Sequence, residues 1–306
     1  MTEPATYKAF PPGWGHILVP VGSRAAARAG VAMYTPGSRK GEMAQAAAWA
    51  AVSLGGARLL PGRAEQWRSA VSPAALEQML SAVSDAVGSF DGHVVYERRE
   101  GRPGLLLLII CADEPVGFLK ALRNQDGRIA AEVAALELLE AHRPRSFSVP
   151  ELLVTGRAAD EWSYLVTTPL PPRMHRMQRG APDGAILDEL AMALSPLARP
   201  PDTPAHWEPA HGDFTPWNLR RFGDGTLVLI DWEEAGWAPP GSDMVLYLAS
   251  ASALGRPVTG RHIEAGEARD YWLARIRGRV ADHLAAGRGL SDLERGMLGA
   301  LSGEKP

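Results

Sequence analysis

The stretch AHGDFTPWNLRRFGDGTLVLIDWEEAG, residues 210–236, sets polar residues at both ends of a run that otherwise builds a β-hairpin. Asp224 and Gly225 supply the turn, and the β-formers on either side supply the strands. Pro216 forbids a regular helix interior, so Asp213 lies on a loop and Asn218 at the entry to the first strand. Asp231 closes the partner strand, and a hairpin brings its two ends side by side. An amide oxygen and a carboxylate oxygen held together make a hard-oxygen site suited to Mg²⁺. Asp213, on its adjoining loop, is placed to take a proton from an incoming hydroxyl. Taken singly, Asp213 and Asn218 would read as an Asx-turn and a strand cap, and Asp231 as a helix cap.

Around this stretch the chain is ordinary in composition. It has 306 residues, 46% hydrophobic and 22% charged, enough to bury a full core in one large or two small domains. A net charge of -3 argues neither for a nucleic-acid footprint nor for a polybasic membrane surface, and neither partner is expected. The single cysteine, Cys111, excludes an internal disulfide and a thiolate-rich zinc site, and after the run Leu105–Ile110 it reads as a buried thiol. No basic segment leads an apolar one at the N-terminus, and GLLLLIICA is too short to span a bilayer. A cytoplasmic protein is expected. Nothing in the sequence sets an oligomeric state.

Upstream, HILVPVGSRAAARAGVAMYTP reads as two short strands around a connection, and GEMAQAAAWAAVSLG as a helix stopped by Gly55 and Gly56. In SPAALEQMLSAVSDAVG, Ser72, Pro73 and Gly88 mark a helix start and stop. HVVYERRE, LLLLIICA and VGFLKAL then form an antiparallel meander, followed by the helix GRIAAEVAALELLEAH and the strand YLVTTPLPP. The remainder is mostly helical around the hairpin.

These features resemble the kinase-like phosphotransferases, above all the aminoglycoside phosphotransferase and choline kinase family. His211-Gly212-Asp213, four residues, then Asn218 is similar to that family's His-x-Asp-x4-Asn loop. Ile230-Asp231-Trp232-Glu233 is similar to its metal-binding segment, and Asp243 takes the last acidic position in GWAPPGSDMVLYLA. The resemblance implies an α+β, bilobal protein-kinase-like fold, with a small lobe of antiparallel sheet plus helix and a large, mostly helical lobe. The expected divisions are an N-terminal extension packed on the small lobe (1–85), a nucleotide-binding lobe (86–168) and a catalytic lobe (169–306).

It further implies ATP and Mg²⁺ as cofactors and a small-molecule hydroxyl as acceptor: a sugar, an amino alcohol or an aminoglycoside-like compound. Asp213 would be the catalytic base, and Asn218 and Asp231 the metal ligands. Lys120 would hold the phosphates, oriented by Glu132. Glu132 stands three residues after Ile129 and four before Leu136, inside the apolar stripe of its helix, where an unpaired carboxylate is costly. Residues around Thr168 and Leu170 would face the adenine. Gly101 and Gly104 are the only glycines of the nucleotide loop, with Arg102 and Pro103 between them. His211 is expected to brace the loop, and Trp217, Trp232 and Trp237 to serve packing. A nucleotide-binding pseudokinase acting as an interaction or regulatory module is the alternative, motivated by the sparse glycine loop. Against it, every charged residue the chemistry needs is present.

Overall fold

Seven consecutive apolar residues, Leu105–Cys111, fit a strand only if both faces of the sheet are covered. The computed structural model, which describes residues 5–12, 16–97, 104–123 and 127–303, covers both. The chain divides into two compact units, Met1–Val133 with Pro150–Arg176, and Ala134–Val149 with Met177–Pro306.

The first unit is built on one eight-stranded sheet. Its strands are β1 (Thr6–Phe10), β2 (Ile17–Pro20), β3 (Glu65–Gln66), β4 (Gly92–Tyr96), β5 (Leu105–Cys111), β6 (Glu114–Arg123), β7 (Leu152–Ala158) and β8 (Trp162–Thr167). They lie in the order β3-β1-β2-β4-β5-β6-β8-β7, and every pairing is antiparallel. The two-residue period of a strand sorts the side chains. Leu107, Ile109, Leu119 and Ala121 pack with Ala75, Met79 and Val83 of helix α3 (Pro73–Val87). Val94, Leu108 and Ile110 face the other way, onto α1 (Arg24–Met33) and, through Val52, α2 (Arg39–Gly55).

The meander and the helices α2 and α3 form as their sequence signals indicate, with Gly56 and Gly88 as C-caps. Two expectations need correction. The second strand read into VAMYTP is instead the end of α1. Ser23 caps that helix by accepting a hydrogen bond from the Ala26 N–H (3.1 Å), and a small residue at Gly30 lets it close on the sheet. Cys111 is half-buried, because it sits at the end of β5 where the strand turns toward Glu114.

Helix α4 (Arg128–His142) carries the chain from the first unit into the second, as does β9 (His175–Met177). The second unit holds α5 (Gly184–Ala193), β10 (Glu208–Ala210), β11 (Leu219–Phe222), β12 (Leu227–Leu229), β13 (Gly236–Ala238), α6 (Ser242–Ala253), α7 (Glu267–Ala285) and α8 (Asp292–Ser302). Its core is the junction of α6, α7 and α8, where Leu246, Ala249, Trp272, Ile276, Met297 and Leu301 are buried together. Among the described residues no helix is long and apolar enough to cross a membrane.

Candidate active site

In the first unit, alternation along β6 decides where Lys120 goes. Leu119 and Ala121 face α3, so Lys120 and Leu122 face the opposite way, where Leu122 meets Ile129 of α4. Lys120 pairs across the sheet with Leu106 and Leu165, deep in its middle. Glu132 stands one turn beyond Ile129 and reaches it. The ammonium and carboxylate are 2.6 Å apart, with 5% and 8% of their side chains exposed. A charge-assisted bond is the arrangement that makes burying both groups tolerable.

The other residues expected on this side are placed as follows. Gly104 is half-buried, immediately before β5, whereas Gly101 lies outside the described residues. The Thr168 N–H donates to the Glu151 carbonyl (2.8 Å), and its hydroxyl accepts from the Glu151 N–H (2.9 Å). That donor is therefore committed to the chain itself. Leu170 is half-buried just past β8.

In the second unit, β10 pairs with β13 so that Ala210 stands opposite Gly236. The chain then leaves β10 into residues 211–218 and re-enters sheet as the hairpin of β11 and β12. Gly212 sits at φ +76°, and a Cβ there would lie 1.9 Å from the Glu234 carbonyl oxygen. Only glycine satisfies both conditions. Asp243, in the first turn of α6, accepts from two successive N–H groups, those of His211 (2.7 Å) and Gly212 (3.1 Å), one on each oxygen. Burial raises its pKa to about 6, against the lowering effect of those two bonds, and the Glu208 charge adds to the rise.

His211 is fully buried and braces the loop, as expected. Its Nδ1 accepts from the Asp213 N–H (3.1 Å), which assigns the proton to Nε2, 3.1 Å from the Ile230 carbonyl. Trp232 is buried against its ring at 4.4 Å between centroids, and Trp217 and Trp237 are half-buried.

Asp213 and Asn218 are joined directly. The Asn218 amide nitrogen donates to the Asp213 carboxylate (2.8 Å) and to its carbonyl (2.9 Å), which leaves the amide oxygen as the atom for a cation. On the partner strand the Ile230 N–H donates to the Asn218 carbonyl (3.1 Å), so Asp231 follows directly after that pairing. Asp231 holds φ +69°, a left-handed conformation that aspartate tolerates better than most residues. Burial raises the Asp213 pKa to about 7, and the Asp231 and Glu234 charges add to the rise. Arg279 and the Asn218 hydrogen bond oppose it. The Asn218 amide oxygen and the carboxylates of this loop are hard oxygen donors, and that chemistry fits a divalent cation.

Three participants in this loop's surroundings are not visible in its motif. Glu234 forms an ion pair with Arg275 of α7 (2.8 Å), and Arg279, one turn further on, acts on Asp213. Both arginines lie more than forty residues beyond Asp231, and a surface arginine in a helical pattern gives no signal of such a contact.

The sequence model of the phosphotransferase enzyme family matches residues 197–280, which include the whole loop, the hairpin and Arg279. The resemblance to that family holds. In structure, a mutant of the aminoglycoside 2'-phosphotransferase-IIIa in its GDP complex aligns with a TM-score of 0.50 at 13% identity, over 74% of this chain and 95% of that one. The fold is therefore the α+β fold of the kinase-like phosphotransferases. Spectinomycin phosphotransferase in complex with ADP and spectinomycin aligns at 0.48, with 8% identity over 74% and 92% of the two chains. An amicoumacin kinase in complex with AMP-PNP, Ca²⁺ and its ligand aligns at 0.43, with 13% identity over 74% and 91%. No curated protein matches this chain by sequence.

Proposed function

We propose that the chain is an ATP-dependent phosphotransferase acting on a hydroxyl of a small molecule, such as a sugar, an amino alcohol or an aminoglycoside-like compound. The observation that carries this reading is the Asp213 carboxylate. It is bonded to Asn218 at 2.8 Å and has a pKa raised to about 7 by burial and by its acidic neighbours. A carboxylate so poised can accept a proton at neutral pH, which is what an attacking alcohol must surrender.

Asp213 orients the acceptor hydroxyl and takes its proton. The acceptor oxygen then bonds to the terminal phosphorus, the bond from that phosphorus to its bridging oxygen breaks, and ADP leaves with the electron pair. Lys120, fixed by Glu132, holds the nucleotide phosphates. Residues near Thr168 and Leu170 border the base, and Gly104 belongs to the nucleotide loop. The Asn218 amide oxygen and the Asp231 carboxylate would hold Mg²⁺, which when bound neutralises phosphate charge. The Arg275–Glu234 pair and His211 keep the loop in register for Asp213.

The test is a panel of sugars, amino alcohols and aminoglycosides with ATP and Mg²⁺, followed by ADP release and by mass detection of a phosphorylated product. A product formed by the wild type and lost in Asp213→Asn supports the proposal. Nucleotide binding with no product across the panel supports the pseudokinase in its place.

A further inference from the structure

A second group of acidic side chains, Glu208 and Asp243, lies where β10 and the start of α6 line one cavity. A cavity of about 30 Å³ is lined by Glu208, Pro209, Ala210, Gly241, Ser242 and Asp243, among others. That volume admits one water-sized guest.

Three observations describe what the guest must satisfy. The Ser242 hydroxyl is buried, with the residue 2% exposed, and it has no hydrogen-bond partner. The bonds made by the Asp243 carboxylate are those from the His211 and Gly212 N–H groups, and Glu208 accepts from the Gly241 N–H (2.8 Å). Among the described residues, neither carboxylate forms an ion pair with a lysine, arginine or histidine side chain. Two carboxylates that repel each other share one cavity, and the N-terminal end of α6, worth about half a charge, is a small positive contribution against them.

We propose that this cavity binds one monovalent alkali cation, held by Glu208, Asp243 and the Ser242 hydroxyl. The cation supplies the charge that these acids lack and gives the Ser242 oxygen a partner. A hydrated divalent ion does not fit: Mg²⁺ keeps several waters, and the space admits one guest. The Asp243 oxygens are each already bonded to an N–H as well, which suits a weakly coordinated ion better than one demanding octahedral ligands. Because Asp243 is the anchor for His211 and Gly212, the ion would fix the loop that carries Asp213.

The experiment is thermal unfolding of the full chain, free of nucleotide and Mg²⁺, in choline chloride, NaCl and KCl at equal ionic strength. Wild type should show a saturable rise in Tm with NaCl or KCl over choline chloride, on the order of 3 °C at ten times the half-saturating concentration. Ser242→Ala and Glu208→Gln should each abolish the difference between salts. Crystals soaked in thallium(I) should show an anomalous peak in the cavity. Identical unfolding in all three salts, an equal salt response in Ser242→Ala, or thallium absent from the cavity would each overturn the proposal and leave a water as the guest. None of these readouts depends on catalysis, so they stand whether or not an acceptor is found.

Discussion

Replacing Lys120 by methionine removes the ammonium that lies 2.6 Å from the buried Glu132 carboxylate. Such a change would lower nucleotide binding with little loss of stability only if both groups were partly solvated. Their side-chain exposures of 5% and 8% remove that condition. A buried carboxylate that loses its ammonium is relieved most cheaply by taking up a proton. At pH 7 this costs about 3.7 kcal/mol from an unfolded pKa near 4.3, within the roughly 3–5 kcal/mol typical of a broken buried pair. The sign follows from linkage. The folded variant's Glu132 pKa is raised above the unfolded value, so the variant's stability falls as pH rises from about 4.3 toward that raised pKa. Its deficit against wild type should therefore shrink to about 1 kcal/mol at pH 5, a slope near 1.4 kcal/mol per pH unit. Urea titrations at pH 5, 6 and 7, on wild type, Lys120→Met, and the double variant Lys120→Met with Glu132→Leu, measure it. The double variant removes both charges and should recover most of the loss, and ATP affinity measured on it isolates the phosphate-binding role. A deficit under about 1 kcal/mol at pH 7, or one that does not change with pH, would refute the reasoning about burial. Unchanged ATP affinity in the double variant would make the pair structural only.

Asp213→Asn keeps an acceptor for the Asn218 amide, so ATP–Mg²⁺ affinity should survive while phosphoryl transfer falls on the order of 10²–10⁴-fold; equal turnover in the variant would end the base assignment. Gly212→Ala drives a methyl group into the Glu234 carbonyl at a left-handed φ, and should lower stability by several kcal/mol or displace the loop, read by urea titration and by loss of transfer. Burial lowers the His93 pKa to about 4, while its ring nitrogen meets the Tyr7 hydroxyl at 3.0 Å. Unfolded histidine near 6.5 binds protons that the folded form refuses, so stability present above pH 6.5 is lost as pH falls toward 4, on the order of 3 kcal/mol from this group. His93→Gln should flatten that acid limb, and an unchanged limb would assign the loss elsewhere.

What could be read in advance follows the range over which residues interact. The hairpin announces itself through Asp224-Gly225 and the flanking β-formers, because its contacts are local. Glu132 is recognisable as a cation seeker because a single helix period puts it among Ile129, Leu136 and Leu139. The strands β10 and β13 escape notice because three residues carry no usable period, and Pro209 counts against a strand. α1 escapes notice because a run of alanine and glycine fits a connection as well as a helix, and VAMYT fits a strand. The motif spacing brings Asp213, Asn218 and Asp231 into view, but not Asp243's grip on two backbone N–H groups, which depends on how α6 meets the loop. Arg275 and Arg279 belong to the same class, since their helix is placed by the packing of Trp272 and Ile276.

The eight-stranded sheet ends on β3, which is two exposed residues long, Glu65 and Gln66. An open edge offers a free row of N–H and C=O groups to any passing strand, and that invites aggregation. Here a newcomer would find two residues' worth of ladder and a charge. The opposite edge, β7, carries Arg157 and breaks its register between Leu152 and Val154. A flat incoming strand would lose its pairing at that irregularity. Adding the N-terminal strands to this sheet therefore moves its margin outward to a short, charged stub, and the long apolar strand β5 stays in the interior.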